Sequence, residues 1–457
     1  MRTTTPLAVP AFRRLYLAQL FTLLGTGFTT VALALLAHVL AGGRAGVVLG
    51  VALAVKMLAS ITVAPLAANL ADRWPIDRTL GALTLARGLL VCSLAFVTAE
   101  WQIYLAMFLL NACAAAYTPL FQASIPGILP DEAAYTRALS LSRLAYDLEN
   151  LLSPVLAAAA LTWLSFHALF YANAVLFAVA AALIFTAGVS GAASPSSGGW
   201  LFGLRAYLQT PRLRALLALS LSVAAGSAML IVNTVVYVQE RLGSGPEETA
   251  LAFAFAGGGS MLVALVLPRW LMRAGDRIPV LSGGLLLTGA LLIGSQSLTL
   301  AELYALWFVL GAGTSLVQTP AGRIIQRSCQ PAERGAYFAA HFALSHLCWL
   351  LCYPLAGFLG ARGLEQSFAV MAALAGGGAL LGAAFWGSDA GELLHRHAGL
   401  RHTHAHSHHD HHHDHHHTHG PDHPANTDGV HTHEHEHPEL EHSHHFTIDA
   451  HHLRWPH

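Results

Sequence analysis

The chain is poor in charge and nearly free of lysine. Only 11% of its 457 residues are Asp, Glu, Lys or Arg, and Lys56 is the only lysine. Soluble domains carry about 25% of such residues. No G-x-x-x-x-G-K-[ST] segment is present, so the sequence provides no phosphate-binding loop for ATP. No nucleophile and base form a catalytic set, and nothing indicates nucleic-acid binding. We therefore expect a protein that is not an enzyme and does not use ATP directly.

Cysteine is also scarce. The five cysteines fall mostly within apolar stretches and give no disulfide framework. The first residues lack a short apolar region with a cleavage site, so no removable signal peptide is expected. Both features are typical of a protein of the bacterial inner membrane.

The chain contains many long apolar runs. The chain is 54% hydrophobic, and runs of about 20 residues can cross the roughly 30 Å hydrocarbon core as helices. The sequence predicts an all-α membrane protein with twelve transmembrane helices in two pseudo-symmetric six-helix bundles. The predicted spans are 12–39, 45–70, 79–98, 101–126, 138–163, 168–187, 212–238, 248–268, 279–297, 301–321, 335–360 and 367–387.

Arginine distribution predicts the orientation. If the N-terminus is cytoplasmic, most arginines outside the spans fall on the cytoplasmic side, and the opposite loops hold only Arg44, Arg241 and Arg362. The positive-inside rule then places both termini in the cytoplasm.

The two halves are related by an offset of about 200 residues. Thr118-Pro119 corresponds to Thr319-Pro320, and Pro154 corresponds to Pro354. Such internal repeats are typical of transporters. A small, polar break at 188–200 precedes a basic amphipathic segment expected at the cytoplasmic surface. We predict four regions: an N-terminal six-helix bundle at 1–187, a cytoplasmic linker at 188–211, a C-terminal six-helix bundle at 212–387 and the histidine-rich tail at 388–457.

The tail holds 25 of the 29 histidines, between His395 and His457. Imidazole is largely neutral at cytoplasmic pH and binds nickel, cobalt or zinc, whether as substrate or as tail ligand; no cofactor is required. The segment is too polar to fold alone, so we expect it to be disordered without metal. The candidate ligands are His402, His404, His406, His408, His409, His411, His412, His413, His415, His416, His417, His419, His431, His433, His435 and His437.

Two motifs resemble the major facilitator superfamily. The loop after the second span contains Asp72, Arg73 and Arg78, and looks like the signature G-x-x-x-D-R-x-G-R-R, with Ala68 at the leading glycine. The segment YTPLFQASIPGILP is similar to a pattern of drug-efflux members. With the histidine-rich tail, the chain resembles bacterial nickel-resistance permeases of the NreB type. The resemblance implies that Asp72, Arg73 and Arg78 form a cytoplasmic gate.

The fifth span carries RLAYDLENLLSP, with Arg143, Asp147, Glu149 and Asn150. Charge within the membrane costs about 3 kcal/mol per residue, so these groups should face protein or a water-filled cavity. Helical geometry puts Arg143, Asp147 and Asn150 on one face and Glu149 on another. Either the carboxylates couple protons to transport, or Arg143 and Asp147 form a structural ion pair and Glu149 caps a neighbouring helix.

The eleventh span supplies His346, which the offset places near the depth of Asp147. An imidazole facing a carboxylate would suit nickel or cobalt. His341, nearer the cytoplasm, is a further candidate ligand. Lys56 either reaches the periplasmic interface or lines the cavity.

The sequence thus favours proton-coupled efflux of a divalent metal, nickel first and cobalt second, conferring metal resistance. Its partners would be metal ions, protons and the lipid bilayer, and we expect a monomer. The alternative is export of an organic compound, a drug or siderophore, with a tail that buffers metal.

Overall fold

The computed structural model describes residues 5–41, 45–71, 75–189, 199–330, 333–386, 392–397, 400–406, 431–437 and 440–445. Met1–Gly387 and Ser388–His457 form two compact units. Regular structure in the described part of the first unit is helical, whereas the described part of the second consists of short strands.

Thirteen α-helices follow one another along the described part of the first unit. They are α1 (Pro10–Ala41), α2 (Ala45–Ala71), α3 (Ile76–Leu94), α4 (Glu100–Ile128), α5 (Glu132–Leu161), α6 (Phe166–Phe185), α7 (Gly199–Gln209), α8 (Pro211–Val232), α9 (Pro246–Ala274), α10 (Arg277–Gly294), α11 (Leu300–Gln326), α12 (Arg334–Gly360) and α13 (Leu364–Phe385). A 3₁₀ turn (Pro6–Ala8) precedes α1, and a π-helical segment (Val236–Arg241) follows α8.

All twelve predicted spans correspond to a helix, and the all-helical membrane fold is confirmed. Within the described ranges, nine helices are long and apolar enough to cross a membrane by length and composition. Helix α5 begins six residues before the predicted span because Asp131 caps it, its side chain accepting a hydrogen bond from Ala134 N at 3.0 Å.

Helix pairing positions the interior residues. Within the first half α1 packs on α6 and α2 on α4, and within the second half α9 packs on α11 and α8 on α13. Between the halves, α5 packs on α9 and α2 on α12. One face of α5 therefore meets α9 of the second half, and one face of α12 meets α2 of the first.

The amphipathic linker segment forms α7, which packs on α12, α2 and α8. Tyr207 is fully buried in this contact. A Cβ on Gly203 would lie 2.7 Å from the Cβ of Ala336, so glycine is required for the close approach to α12. The segment predicted to lie along the membrane surface is thus anchored on the helix bundle, and it ends where Pro211 starts α8.

The tail forms two antiparallel strand pairs in its described segments. β1 (Glu392–His397) pairs with β4 (Leu440–His445), and β2 (Leu400–His406) pairs with β3 (His431–His437). In these four segments the backbone hydrogen bonds are paired in ladders. The expectation that the tail is disordered without metal stays a prediction. In the second pair, backbone register aligns His402 with His435 and His404 with His433.

Candidate functional site

Arg143 and Asp147 form an ion pair on α5 that reaches into the second half. Arg143 Nη2 lies 2.9 Å from Asp147 Oδ1, and Asp147 is only 3% exposed. Arg143 Nε donates to Ser260 Oγ on α9 at 2.9 Å, and its Nη1 donates to Gln318 Oε1 on α11. The guanidinium group thus connects the first half with two helices of the second.

One oxygen of Asp147 lacks a partner. Its Oδ2 is buried and accepts no hydrogen bond from any residue that the structure describes. Burial of an unsatisfied carboxylate oxygen is costly. This atom is therefore suited to accept a proton or a donor group of a substrate.

Glu149 faces a different environment, as the helical geometry of α5 predicts. It interacts electrostatically with Lys56 of α2 and Arg87 of α3, both in the first half. The two carboxylates of α5 thus address opposite halves. The side chain of Asn150 lies outside the described residues, so the expectation for it stays a prediction.

Arg87 is a functional candidate that the sequence analysis did not identify. Its Nη2 lies 3.4 Å from Thr26 Oγ1, and its guanidinium carbon lies 4.6 Å from the centre of the Phe177 ring. Its Nε is buried without a hydrogen-bond partner among the described residues. The signal was available, because an arginine in the middle of an apolar span carries the same cost that drew attention to α5.

His346 of α12 lies near Lys56 of α2, in the first half. Its Nδ1 is 2.7 Å from Phe342 O, its ring packs edge-on against Trp349, and Lys56 acts on it electrostatically. No hydrogen bond or ion pair joins it to Asp147 in the described structure. Since α12 packs on α2 while α5 packs on α9, no direct contact supports the expected imidazole–carboxylate site, which stays a prediction.

His341 lines a small cavity between α8, α11 and α12. The cavity is lined by Leu216, Ser220, Val223, Val317, Gln318, Ala321, His341, Ser345 and Trp349. Tyr207 Oη of α7 is 2.8 Å from His341 Nδ1. Burial raises the pKa of Tyr207 well above its ordinary value, so the hydroxyl keeps its proton.

Metal coordination finds little support inside the helix bundle. Within the ranges described, no three His, Cys, Asp or Glu residues lie together so as to hold a metal ion. Tail histidines 408–419 lie outside the described residues, and for His402, His404, His406 and 431–437 the structure describes the backbone only. The predicted tail ligands therefore stay a prediction.

The predicted gate loop is described only in part. Asp72 and Arg73 lie outside the described residues, and Arg78 is exposed near the start of α3. The gate role of all three stays a prediction.

A second charged cluster stands at the corresponding place of the other half, and the sequence analysis did not identify it. Asp276-Arg277 stands about 200 residues after Asp72-Arg73, with Asp276 directly before α10 and Arg277 as its first residue. Arg323 Nε lies 3.2 Å from Asp276 Oδ1 and 3.0 Å from Glu132 Oε1. Arg327 lies 3.1 Å from Asp276 and 2.6 Å from Glu132.

This cluster connects the halves through Glu132, the first residue of α5. Burial raises the pKa of Asp276, and the adjacent guanidinium groups of Arg323 and Arg327 oppose that rise. The spacing of the repeat could have identified Asp276, but nothing in the sequence indicates that Glu132 joins it.

Three proteins illustrate what the chain is similar to. It is 23% identical to the uncharacterized MFS-type transporter YfiS of Bacillus subtilis (strain 168) over 295 residues, 61% of this chain and 70% of that protein. It is 28% identical to an uncharacterized MFS-type transporter of Mycobacterium tuberculosis over 164 residues, 35% of this chain and 37% of that protein. The crystal structure of the human organic anion transporter MFSD10 (TETRAN) superposes with a TM-score of 0.69 at 14% identity, covering 83% of this chain and 100% of that one.

The family comparison covers the whole helical unit. The model of the Major Facilitator Superfamily matches residues 15–273 and 216–401. Its two overlapping matches together extend across both halves, and the fold and buried charges described above are those of a multi-pass membrane transporter. The chain belongs to the Major Facilitator Superfamily.

Proposed function

We propose that this transporter exports a divalent transition metal from the cytoplasm in exchange for protons and so confers metal resistance. Nickel is the first candidate and cobalt the second, in line with the resemblance to permeases of the NreB type. The observation that carries the proposal is the tail, which holds 25 of the 29 histidines. Imidazole in that density favours nickel, cobalt and zinc over magnesium or calcium.

The proposal places the tail where it would capture metal. Arginine distribution favours cytoplasmic termini in a bacterial inner membrane. Bound to the tail, metal would be concentrated at the inner mouth of the transport path. The protein would act as a monomer, without ATP, nucleic acid or catalytic chemistry.

Proton exchange supplies the energy. Moving a doubly charged ion outward against an inside-negative potential costs about 4.6 kcal/mol per 100 mV. Exchange for two protons cancels the charge movement. Asp147 supports proton exchange, because its Oδ2 is buried and has no hydrogen-bond partner among the described residues. Glu149 also supports it, because this second carboxylate interacts with the cations Lys56 and Arg87.

A second candidate is export of an organic anion. The observation that favours it is the charge of the described interior, where Lys56, Arg87 and Arg143 outnumber Asp147 and Glu149. The similar human protein is named as an organic anion transporter, but at 14% identity that likeness concerns the fold alone.

Flux measurement separates these proposals. Proteoliposomes with an imposed pH gradient should accumulate radioactive nickel when they contain the wild-type protein. Asp147→Asn should insert normally and lose this gradient-driven flux, because the amide carries no exchangeable proton. Wild-type flux in Asp147→Asn would leave Arg143–Asp147 as a structural pair. Absence of nickel flux in wild type, with gradient-driven flux of an organic anion, would favour the second candidate.

A further inference from the structure

The cavity between α8, α11 and α12 is lined by several side chains that can donate hydrogen bonds. Ser220 Oγ donates to Leu216 O at 2.8 Å and Ser345 Oγ to Phe342 O at 3.0 Å, so the protons of both hydroxyls are already used on their own helix and the donors must come from other residues. Gln318 is oriented by Arg143, whose Nη1 bonds to its Oε1. The amide nitrogen of Gln318 is left to donate.

His341 is also set as a donor. Tyr207 is fully buried, and His341 Nδ1 is the hydrogen-bond partner of its hydroxyl in the described structure. A buried hydroxyl proton without an acceptor would cost free energy, so Tyr207 donates and Nδ1 accepts. The neutral imidazole then carries its proton on Nε2. The lone pair that a metal would need is occupied by the Tyr207 hydroxyl.

Trp349 supplies a third donor. Its Nε1 is buried and has no hydrogen-bond partner among the described residues. An indole N–H cannot accept, so only an acceptor atom can satisfy it. Gln318, His341 and Trp349 all line this cavity, so three N–H donors stand at it or directly beside it. Donors of this kind match the oxygens of a carboxylate.

The charge around this cavity also favours an anion. Arg143 is balanced by Asp147, but Lys56 and Arg87 share the single carboxylate of Glu149. With all five groups ionised, one positive charge is left over in the described interior. Lys56 acts on His346, whose ring contacts Trp349, so this excess adjoins the cavity. A bare divalent cation would be repelled there, whereas an anion would be attracted.

We propose that the transported species binds this cavity through carboxylate oxygens, and that a divalent metal crosses the membrane as its anionic polycarboxylate chelate. This inference rests on the proposed metal export and names the form in which the metal travels. One nickel ion with one trianionic citrate carries a net charge of −1, which neutralises the positive charge left over between Lys56, Arg87 and Glu149.

Proteoliposomes of the full chain under an imposed pH gradient test the inference with three substrates: nickel alone, citrate alone, and nickel with excess citrate. Nickel flux should rise at least about ten-fold with citrate, and labelled citrate should cross in the same assay. Full nickel flux without citrate, unchanged or reduced when citrate is added, would overturn the inference and leave metal export standing. Citrate flux without any nickel flux would overturn metal export and support the carboxylate site. Absence of both nickel flux and citrate flux would overturn this inference and the proposed metal export.

Trp349→Phe locates the site. It keeps an aromatic ring and removes one donor to a charged oxygen, so the citrate concentration for half-maximal flux should rise about ten-fold. The maximal rate should stay within two-fold. Trp163→Phe is the control, because Trp163 is 88% exposed. Equal kinetics for both variants would remove Trp349 from the site.

Lys56→Gln tests the charge independently. It should reduce flux of nickel with citrate more than any flux of nickel alone, because it removes repulsion of a cation and attraction of an anion. A reduction of both fluxes alike, in a variant that elutes as wild type on size exclusion, would contradict the electrostatic part.

Discussion

The interiors of the two halves differ in chemistry although their helices correspond. The first half contributes full charges, Lys56, Arg87 and Glu149, with Arg143 and Asp147 at its border with the second. The second half lines its cavity with neutral groups, including Gln318, His341 and Trp349. A duplicated bundle has thus placed charge in one copy and hydrogen bonding in the other. A charge acts on a substrate over a distance, so the first half suits attraction of the substrate and proton coupling. A neutral hydrogen-bond donor acts only at contact, so the second half suits recognition of the bound substrate.

Among the substitutions that compare the two halves, Glu149→Gln should have the largest effect, because it removes the carboxylate that Lys56 and Arg87 share in the described structure. We expect transport to fall about 100-fold, since an uncompensated buried charge costs about 3 kcal/mol. The double variant Glu149→Gln/Lys56→Gln restores one charge balance and should recover part of the flux. The measurement is initial flux per purified protein.

The matched control is Glu247→Gln, at an exposed position in the first turn of α9. It should transport as wild type. Equal flux in Glu149→Gln and Glu247→Gln would break the comparison, because the first-half charges would then play no part in transport.

Arg323→Gln should have the next largest effect, loosening the cluster that Glu132 and Asp276 form between the halves. The readout is Cys329, two residues after Arg327, whose pKa burial raises to about 12. A thiol reacts as thiolate, so opening should raise maleimide labelling of Cys329 about ten-fold. Mass spectrometry identifies the labelled peptide, and exposed Arg205 provides the control Arg205→Gln. Unchanged labelling in Arg323→Gln would mean that this cluster does not hold the halves together.

Truncation after Gly387 tests whether the two halves suffice without the tail. The tail is a separate compact unit, so the helices should insert normally and keep transport at saturating substrate. At low nickel we expect resistance to fall a few-fold, because local capture of metal is lost. Growth across a nickel series measures this. Complete loss of flux from correctly inserted protein would place an essential step in the tail.

Tyr207→Phe should have the smallest effect, and it tests the role of the second half in substrate recognition. It frees His341 Nδ1, which accepts from Tyr207 at 2.8 Å in the wild type. Loss of one hydrogen bond costs about 1 kcal/mol, so half-saturation by citrate should rise about five-fold or less. Leu208→Ala on the exposed face of α7 is the control. A loss of flux as large as in Glu149→Gln would show that recognition and charge are not divided between the halves.

Sequence periodicity and length predicted the twelve helices, because a membrane leaves helices as the way to satisfy backbone groups in a chain of apolar runs. The face of α5 that holds Arg143 and Asp147 followed from helical geometry alone. Contacts between helices did not follow. The expected approach of His346 to Asp147 assumed that equal depth means contact, whereas packing brings α12 to α2.

Arg87 shows a different limit. The argument from the cost of intramembrane charge applies to it as fully as to Asp147, but it stands alone in α3, and a single residue gives no pattern. Its electrostatic connection to Glu149 depends on how the helices are arranged in the folded bundle, which no local spacing encodes.

The cluster at Asp276 has a consequence for how easily the halves part. Arg323 and Arg327 each pair with two carboxylates, Glu132 from the first half and Asp276 from their own. When Glu132 withdraws, both arginines keep Asp276, so separation leaves no buried guanidinium without an anion. Glu132 itself is 44% exposed, so water solvates its carboxylate when these pairs divide, and their separation costs little. An interface built in this way is held by charge and can still open and close repeatedly at ordinary temperature.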